Sequence, residues 1–232
     1  MDIKFIALKV SEDNNLMYFF YTQDFAFTVD ATNPEILLEC LKKEFTKEYY
    51  LPEEIQHLSN IIIPRKLLYS FTTHHHFDHS SGDKRLKEIF PDIKQIKGEE
   101  KDINIQGTIV KCFKTPCHTR DSICILINNK YMCTGDTIFY LGCGWFTEGT
   151  PKDMLAAINK IKQYDNNIIM LYGHNYKEKN LRFIRSECQY INHVEDDRIF
   201  LTLGEEKKEN PFFLLKNEEE MGSLREKKNK FI

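Results

Sequence analysis

The sequence predicts an α/β domain that closes in a small helical region, and three observations carry that prediction. Through most of the chain, short runs rich in aromatic and β-branched residues alternate with segments of helical period. Beyond His174 the strand signals stop and charge density rises. Four sites that follow strand-like runs carry His or Asp, beginning at His74, His118, Asp136 and His174. Functional groups are commonly built at such strand ends.

Taken in order, Ile3 to Val10, Leu16 to Thr22 and Phe25 to Asp30 read as strands, separated by the turn segments EDNN and TQD. Pro34 to Phe45 carries Ile36, Leu37, Leu38, Leu41 and Phe45 at helical spacing, with Pro34 suited to a first turn because its missing N–H costs nothing there. Lys47 to Lys66 has no clear period and is expected to be an irregular excursion, its role unread. Leu67 to Thr72 reads as a buried strand and Gly82 to Phe90 as a short helix. Further strands are expected at Thr108 to Phe113, Ser122 to Ile127, Tyr131 to Thr134 and Ile168 to Tyr172. Pro151 to Tyr164 is an amphipathic helix with Met154, Leu155, Ile158 and Ile161 on one side. The tail from Leu181 is helical and irregular, and there are no internal repeats.

Composition narrows the function. The 232 residues are 41% hydrophobic, enough for a sizeable core, and the formal net charge is −3. That balance argues against a dominant nucleic-acid or anionic-membrane surface. The N-terminal MDIKFIALKV lacks the basic region and apolar stretch of a secretory signal. No apolar run approaches the roughly 18–20 residues of a membrane helix. The seven cysteines are odd in number and form no CxxC pair, which predicts a reduced, cytoplasmic protein without a zinc ribbon.

The strongest motif is Thr72-Thr73-His74-His75-His76-Phe77-Asp78-His79. In an extended backbone His74 and His76, two apart, point the same way, and Asp78 and His79 come next where the chain turns. Imidazoles with carboxylates and no sulfur suit Zn, Fe or Mn. Three weaker segments repeat the theme: Thr115-Pro116-Cys117-His118-Thr119, Cys133-Thr134-Gly135-Asp136-Thr137 and Tyr172-Gly173-His174. A lone histidine after a strand is more often structural. Four such sites in one chain, at strand ends that converge on a sheet edge, point to a metal centre.

THHHFDHSSG, TPCHT, TGDTIF and YGH, in that order, resemble the metallo-β-lactamase superfamily. More narrowly, TPCHTRDSICILI, CTGDTIFYLGCG, EGT, GHNYKEKNLRF and GEEKKENPF resemble the glyoxalase II family, the hydroxyacylglutathione hydrolases, with VDAT at Asp30 in place of a VDP-like turn. The resemblance implies a metallo-β-lactamase αββα sandwich over residues 1–175 with a small C-terminal α-helical domain over 176–232 that binds substrate. It implies two divalent metal ions. His74, His76 and His118 would hold the first, Asp78, His79 and His174 the second, and Asp136 would bridge both. His75 would point away, and His57 and His193 would be surface residues.

The implied reaction is hydrolysis of S-D-lactoylglutathione, and of 2-hydroxyacyl glutathione thioesters generally, by a metal-bridging hydroxide that Asp78 and Asp136 orient. A thiolate of pKa near ~9 leaves with little acid help, and no Ser-His-Asp or cysteine nucleophile is needed. The expected partner is the glutathione thioester alone, the protein being a monomer that engages neither nucleic acid nor membrane. Tyr176 and Asn180 match family positions near the ligand. Trp145, Phe146 and Thr147 stand where the family often has lysine, an aromatic and tyrosine, and Leu214 stands where it often has arginine, with Lys216 the nearest cation. The expected substrate contacts are therefore Trp145, Tyr176, Asn180 and Lys216. The alternatives are a persulfide dioxygenase, which holds a single Fe by two His and one Asp, another hydrolase of this fold with a different thioester or a nucleic-acid substrate, and a non-catalytic relative.

Overall fold

The computed structural model describes residues 3–10, 14–42, 49–50, 66–191 and 197–231. The expected excursion at 47–66 and the residues His57 and His193 lie almost wholly or entirely outside the described residues. The chain divides into two compact units, Met1–Gly98 with Gln106–Thr108, and Glu99–Ile105 with Ile109–Ile232.

In the first unit a mixed sheet is built from β1 (Lys4–Lys9), β2 (Leu16–Tyr21), β3 (Ala26–Val29), β4 (Tyr49–Tyr50), β5 (Leu67–Thr72) and β6 (Lys94–Lys97), in the order β4-β1-β2-β3-β5-β6. β1, β2 and β3 form an antiparallel meander, whereas β3, β5 and β6 run parallel. Every residue of β2 is buried, so its two faces are both covered and its sequence LMYFFY shows no polar alternation. One face carries Ile6, Leu8, Met17 and Phe19 into a core completed by Ile36 and Leu37 of helix α1 (Pro34–Lys42). The other carries an aromatic row, with Phe20 stacked on Phe27 at 5.1 Å and Phe27 edge-on to Phe71 at 5.5 Å. After β5 come a single-turn helix α2 (Phe77–Ser80) and α3 (Asp83–Ile89).

In the second unit the order is β13-β10-β9-β8-β7, from β7 (Lys101–Ile105), β8 (Thr108–Lys114), β9 (Ile123–Ile127), β10 (Tyr131–Gly135) and β13 (Ile169–Tyr172). β11 (Ile138–Phe139) and β12 (Gly142–Cys143) pair as a small hairpin. β8 and β9 are antiparallel, as are β9 and β10, while β10 and β13 are parallel. Hence β8, β10 and β13 all end at the same edge. Helix α4 (Pro151–Ile161) starts at a reciprocal cap between Thr150 and Asp153, with Pro at the first turn, and buries Met154, Ala157, Ile158 and Ile161.

The tail supplies α5 (Lys177–Glu187), α6 (Leu203–Glu209), a 3₁₀ turn Pro211–Leu214 and α7 (Glu218–Lys230). Among the described residues it has no core cluster of its own. Leu181, Phe183, Phe212 and Met221 join the same cluster as Phe113, Met132, Met154 and Met170. Among the described residues no helix is long and apolar enough to cross a membrane.

Candidate metal centre

In the first unit the parallel strands β3 and β5 place Asp30 and Thr73 at neighbouring ends. Asp30 sits at φ +53° and is buried, and its backbone N–H donates to the Phe71 carbonyl. Its Oδ1 accepts the Thr73 backbone N–H at 2.7 Å, and its Oδ2 accepts both the Thr73 hydroxyl at 2.8 Å and Nδ1–H of His79 at 2.8 Å. The Thr73 hydroxyl proton is thereby committed, so the 3.1 Å contact of Thr73 with His74 Nδ1 has the imidazole as donor. Both His74 and His79 are held as the tautomer protonated at Nδ1, with the lone pair on Nε2. An outer carboxylate or hydroxyl that fixes a ring in this way is what a metal-binding histidine requires.

His74 and His76 lie with ring centroids 4.8 Å apart, and His74 and His79 at 4.2 Å. Asp78 Oδ2 is 3.6 Å from His79 Nε2. α2 sets this spacing: the His79 and Ser80 N–H groups donate back to the His76 carbonyl, and Asn15 donates to the Asp78 carbonyl at 2.7 Å. His75 is exposed, as expected for a residue between two that point inward.

In the second unit the shared edge of β8, β10 and β13 presents His118, Asp136 and His174. The Gly173 N–H donates to the Gly135 carbonyl at 3.0 Å, which draws the last two together. Asp136 Oδ2 stands 3.4 Å from His118 Nε2 and 3.6 Å from His174 Nε2. His118 Nδ1 donates to the Trp145 carbonyl at 3.0 Å. A carbonyl can only accept, so this ring too carries its proton on Nδ1 and its lone pair on Nε2.

Of the expected substrate contacts, Tyr176 is half-buried and stacks on His174, with centroids 4.8 Å apart and planes 5° from parallel. Trp145 is 60% exposed, and Lys216 is exposed in the loop before α7. Asn180 is buried and engaged at both ends: its Nδ2 donates to the Tyr140 carbonyl at 2.7 Å, and its Oδ1 accepts from Lys228 Nζ. Nothing near Asp30 in the sequence marks its carboxylate as a partner of Thr73 and His79. The VDAT turn was visible, but its carboxylate serves residues more than forty positions away.

In each unit the strand ends bring together His and Asp side chains, with outer partners that fix the imidazoles, and side chains of these types can hold a metal. The chain is 44% identical over 247 aligned positions to a protein of Encephalitozoon cuniculi named probable hydroxyacylglutathione hydrolase, covering 100% of this chain and 99% of that one. The chain belongs to the hydroxyacylglutathione hydrolase family. A second member so named, from Schizosaccharomyces pombe, is 31% identical over 211 positions, with 81% of this chain and 77% of that one covered. No family model matches.

Solved structures establish the family's fold in this chain as that of the metallo-β-lactamases. ETHE1 from Myxococcus xanthus aligns with TM-score 0.70 at 20% identity over 97% of this chain and 90% of that one. A metallo-β-lactamase from Staphylococcus aureus aligns at 0.69 and 18% identity, over 100% and 66%.

Proposed function

We propose that this protein hydrolyses S-D-lactoylglutathione to glutathione and D-lactate, and 2-hydroxyacyl glutathione thioesters as a class. The observation that supports it most is full-length identity of 44% to a relative named for that activity, joined to a complete His/Asp donor set. In this reading His74, His76 and His118 would hold the first metal, Asp78, His79 and His174 the second, and Asp136 both. The donor chemistry fits: imidazoles presented through Nε2 and carboxylates that offset the cation charge suit Zn, with Fe and Mn also accommodated. Divalent ions held there would supply a water of pKa lowered to near ~7 and Lewis-acid polarisation of the scissile carbonyl.

The chain's own groups do the rest. Asp30 and the Trp145 carbonyl hold the imidazole protons at Nδ1 of His79 and His118, so neither ring can turn its lone pair away. Tyr176, packed flat on His174 and edge-on to Phe139 at 5.0 Å, offers its hydroxyl end to the thioester from the helical region 176–232. Trp145 supplies exposed stacking area, Lys216 a cation for the glycine carboxylate, and Asn180 acts through the Tyr140 loop that it holds. A cytoplasmic role in removing methylglyoxal-derived thioesters accords with six buried free thiols, Cys112, Cys117, Cys124, Cys133, Cys143 and Cys188.

A persulfide dioxygenase, the alternative that the sequence motifs leave open, is the second reading. Side-by-side assays of S-D-lactoylglutathione and glutathione persulfide separate the two. Turnover of the thioester with release of free thiol is expected. Oxygen consumption with persulfide and none of that release would replace the first reading with the second.

A further inference from the structure

Four consecutive residues of the β11–β12 hairpin are held through their backbones by side chains of the helical tail. The Tyr140 carbonyl accepts from Asn180 Nδ2 at 2.7 Å, and the Leu141 N–H donates to Glu206 Oε1 at 3.1 Å. The Gly142 carbonyl accepts from Asn210 Nδ2 at 3.1 Å, and the Cys143 carbonyl from Arg225 Nη1 at 2.7 Å. All four donors and acceptors from the tail are buried. Leu141 sits at φ +47°, a conformation an L side chain leaves unless its surroundings over-determine it.

The holders are themselves cross-braced. Glu206 Oε2 accepts from Asn210 and Oε1 from the Tyr172 hydroxyl, and Lys228 donates to Asn180. Arg225 and Lys228 are both buried, and both give protons to neutral oxygens, which is an expensive way to hold a loop. An apolar pair of similar size would fill the same space without that cost.

The two residues just after the hairpin supply the reason. Gly144 packs so closely that a Cβ on it would stand 1.9 Å from the Asp136 carbonyl and 3.3 Å from His118 Nδ1. The next residue, Trp145, gives His118 its carbonyl acceptor. We propose that the tail is a clamp on this hairpin, and that Glu206 and Arg225 are positioning residues which fix the orientation and tautomer of His118. The inference deepens the proposed function, since it rests on His118 being a metal ligand, and it gives the tail a task besides substrate binding.

Arg225→Met keeps an apolar stem beside the Phe212 ring and removes the donor to Cys143; Glu206→Gln and Arg225→Lys are the companion variants, and Lys216→Ala, a proposed substrate contact, is the comparison. Three quantities are read: exchange of the His118 Nδ1 proton in the metal-free protein by NMR, Zn affinity, and kcat and KM for S-D-lactoylglutathione. In Arg225→Met the ring proton should exchange at least about tenfold faster, and Zn should bind roughly 10- to 100-fold more weakly, the usual cost of losing an outer partner. kcat should fall while KM stays near wild type, and Arg225→Lys should recover part of each.

Wild-type ring-proton exchange and Zn affinity in Arg225→Met and Glu206→Gln, with only thermal stability lost, would overturn the clamp. So would losses confined to KM, as expected of Lys216→Ala. Should neither variant fold, the wild type decides: exchange of the Leu141 amide and the His118 ring proton as slow as the β10 amides supports the clamp, and fast exchange overturns it. Full metal content in His118→Ala would instead bring down the ligand reading, a separate result.

Discussion

At Asp30 one buried carboxylate accepts three hydrogen bonds, two from Thr73 and one from the His79 ring. Asp30→Asn keeps the size but replaces one acceptor oxygen with an NH₂ group that faces two donors. Metal affinity or turnover should fall roughly 10- to 100-fold, as for other outer partners of metal ligands. Unchanged Zn affinity, measured by competition with a chromophoric chelator, would show that His79 does not depend on it. Asp136, set 3.4 Å and 3.6 Å from His118 and His174, carries a heavier expectation. Asp136→Asn should lower bound metal and cut turnover by orders of magnitude. His118→Ala and His174→Ala should each lose mainly one metal equivalent, while His75→Ala, exposed in the ligand loop, should be mild. Elemental analysis of the four purified variants checks their metal contents, and thioester assays the turnover of Asp136→Asn.

Between the elements, Glu206 joins α6 to β13 through Tyr172 and to the hairpin through Leu141. Burial is the largest influence on its carboxyl and pushes it up to about 7, against the hydrogen bonds from Tyr172, Asn210 and Leu141, which lower it. The folded state therefore holds a proton that the unfolded state releases between its ordinary value of 4.5 and about 7. Glu206's contribution to stability is full below that window and is lost as pH rises through it. Subtracting the thermal-melt profile of Glu206→Gln from that of wild type should leave a declining difference over this range; a flat difference would contradict the assignment.

In the proposed function the same tail also bears on substrate affinity. With Leu214 where the family resemblance implies arginine, one charge-assisted hydrogen bond of roughly 1.5–3 kcal/mol would be missing, or about 10- to 150-fold in affinity. Because the remote carboxylate does not change charge in the reaction, the deficit should fall on KM. Leu214, the last residue of the 3₁₀ turn and 41% exposed, leaves room for Leu214→Arg to lower KM, and Lys216→Ala should raise it. If KM stays the same in both, the segment does not touch the substrate.

At the scale of the molecule, the elements that could be read from the sequence were those whose residues are patterned locally. β2, β5 and β9 are nearly continuous apolar runs, and α4 has both its cap and its stripe in one stretch. β6 and β7, KQIK and KDINI, are polar edge segments that only neighbouring strands make extended, and β11 and β12 are too short for any period. The residues proposed as ligands stand out in the sequence because their segments come after strands, and within each sheet strands sharing a direction deliver their ends to one edge. The Asp30–His79 and Glu206–Tyr172 pairs do not, being separated by 49 and 34 positions with no pattern between them.

The central claim, a thioester hydrolase that needs both of its metal positions, is tested most directly by titrating metal-free protein with Zn while monitoring S-D-lactoylglutathione hydrolysis. No turnover is expected without metal, and a rise that saturates near two equivalents per chain with it. Full activity at one equivalent, or thioester cleavage by the metal-free protein, would contradict it.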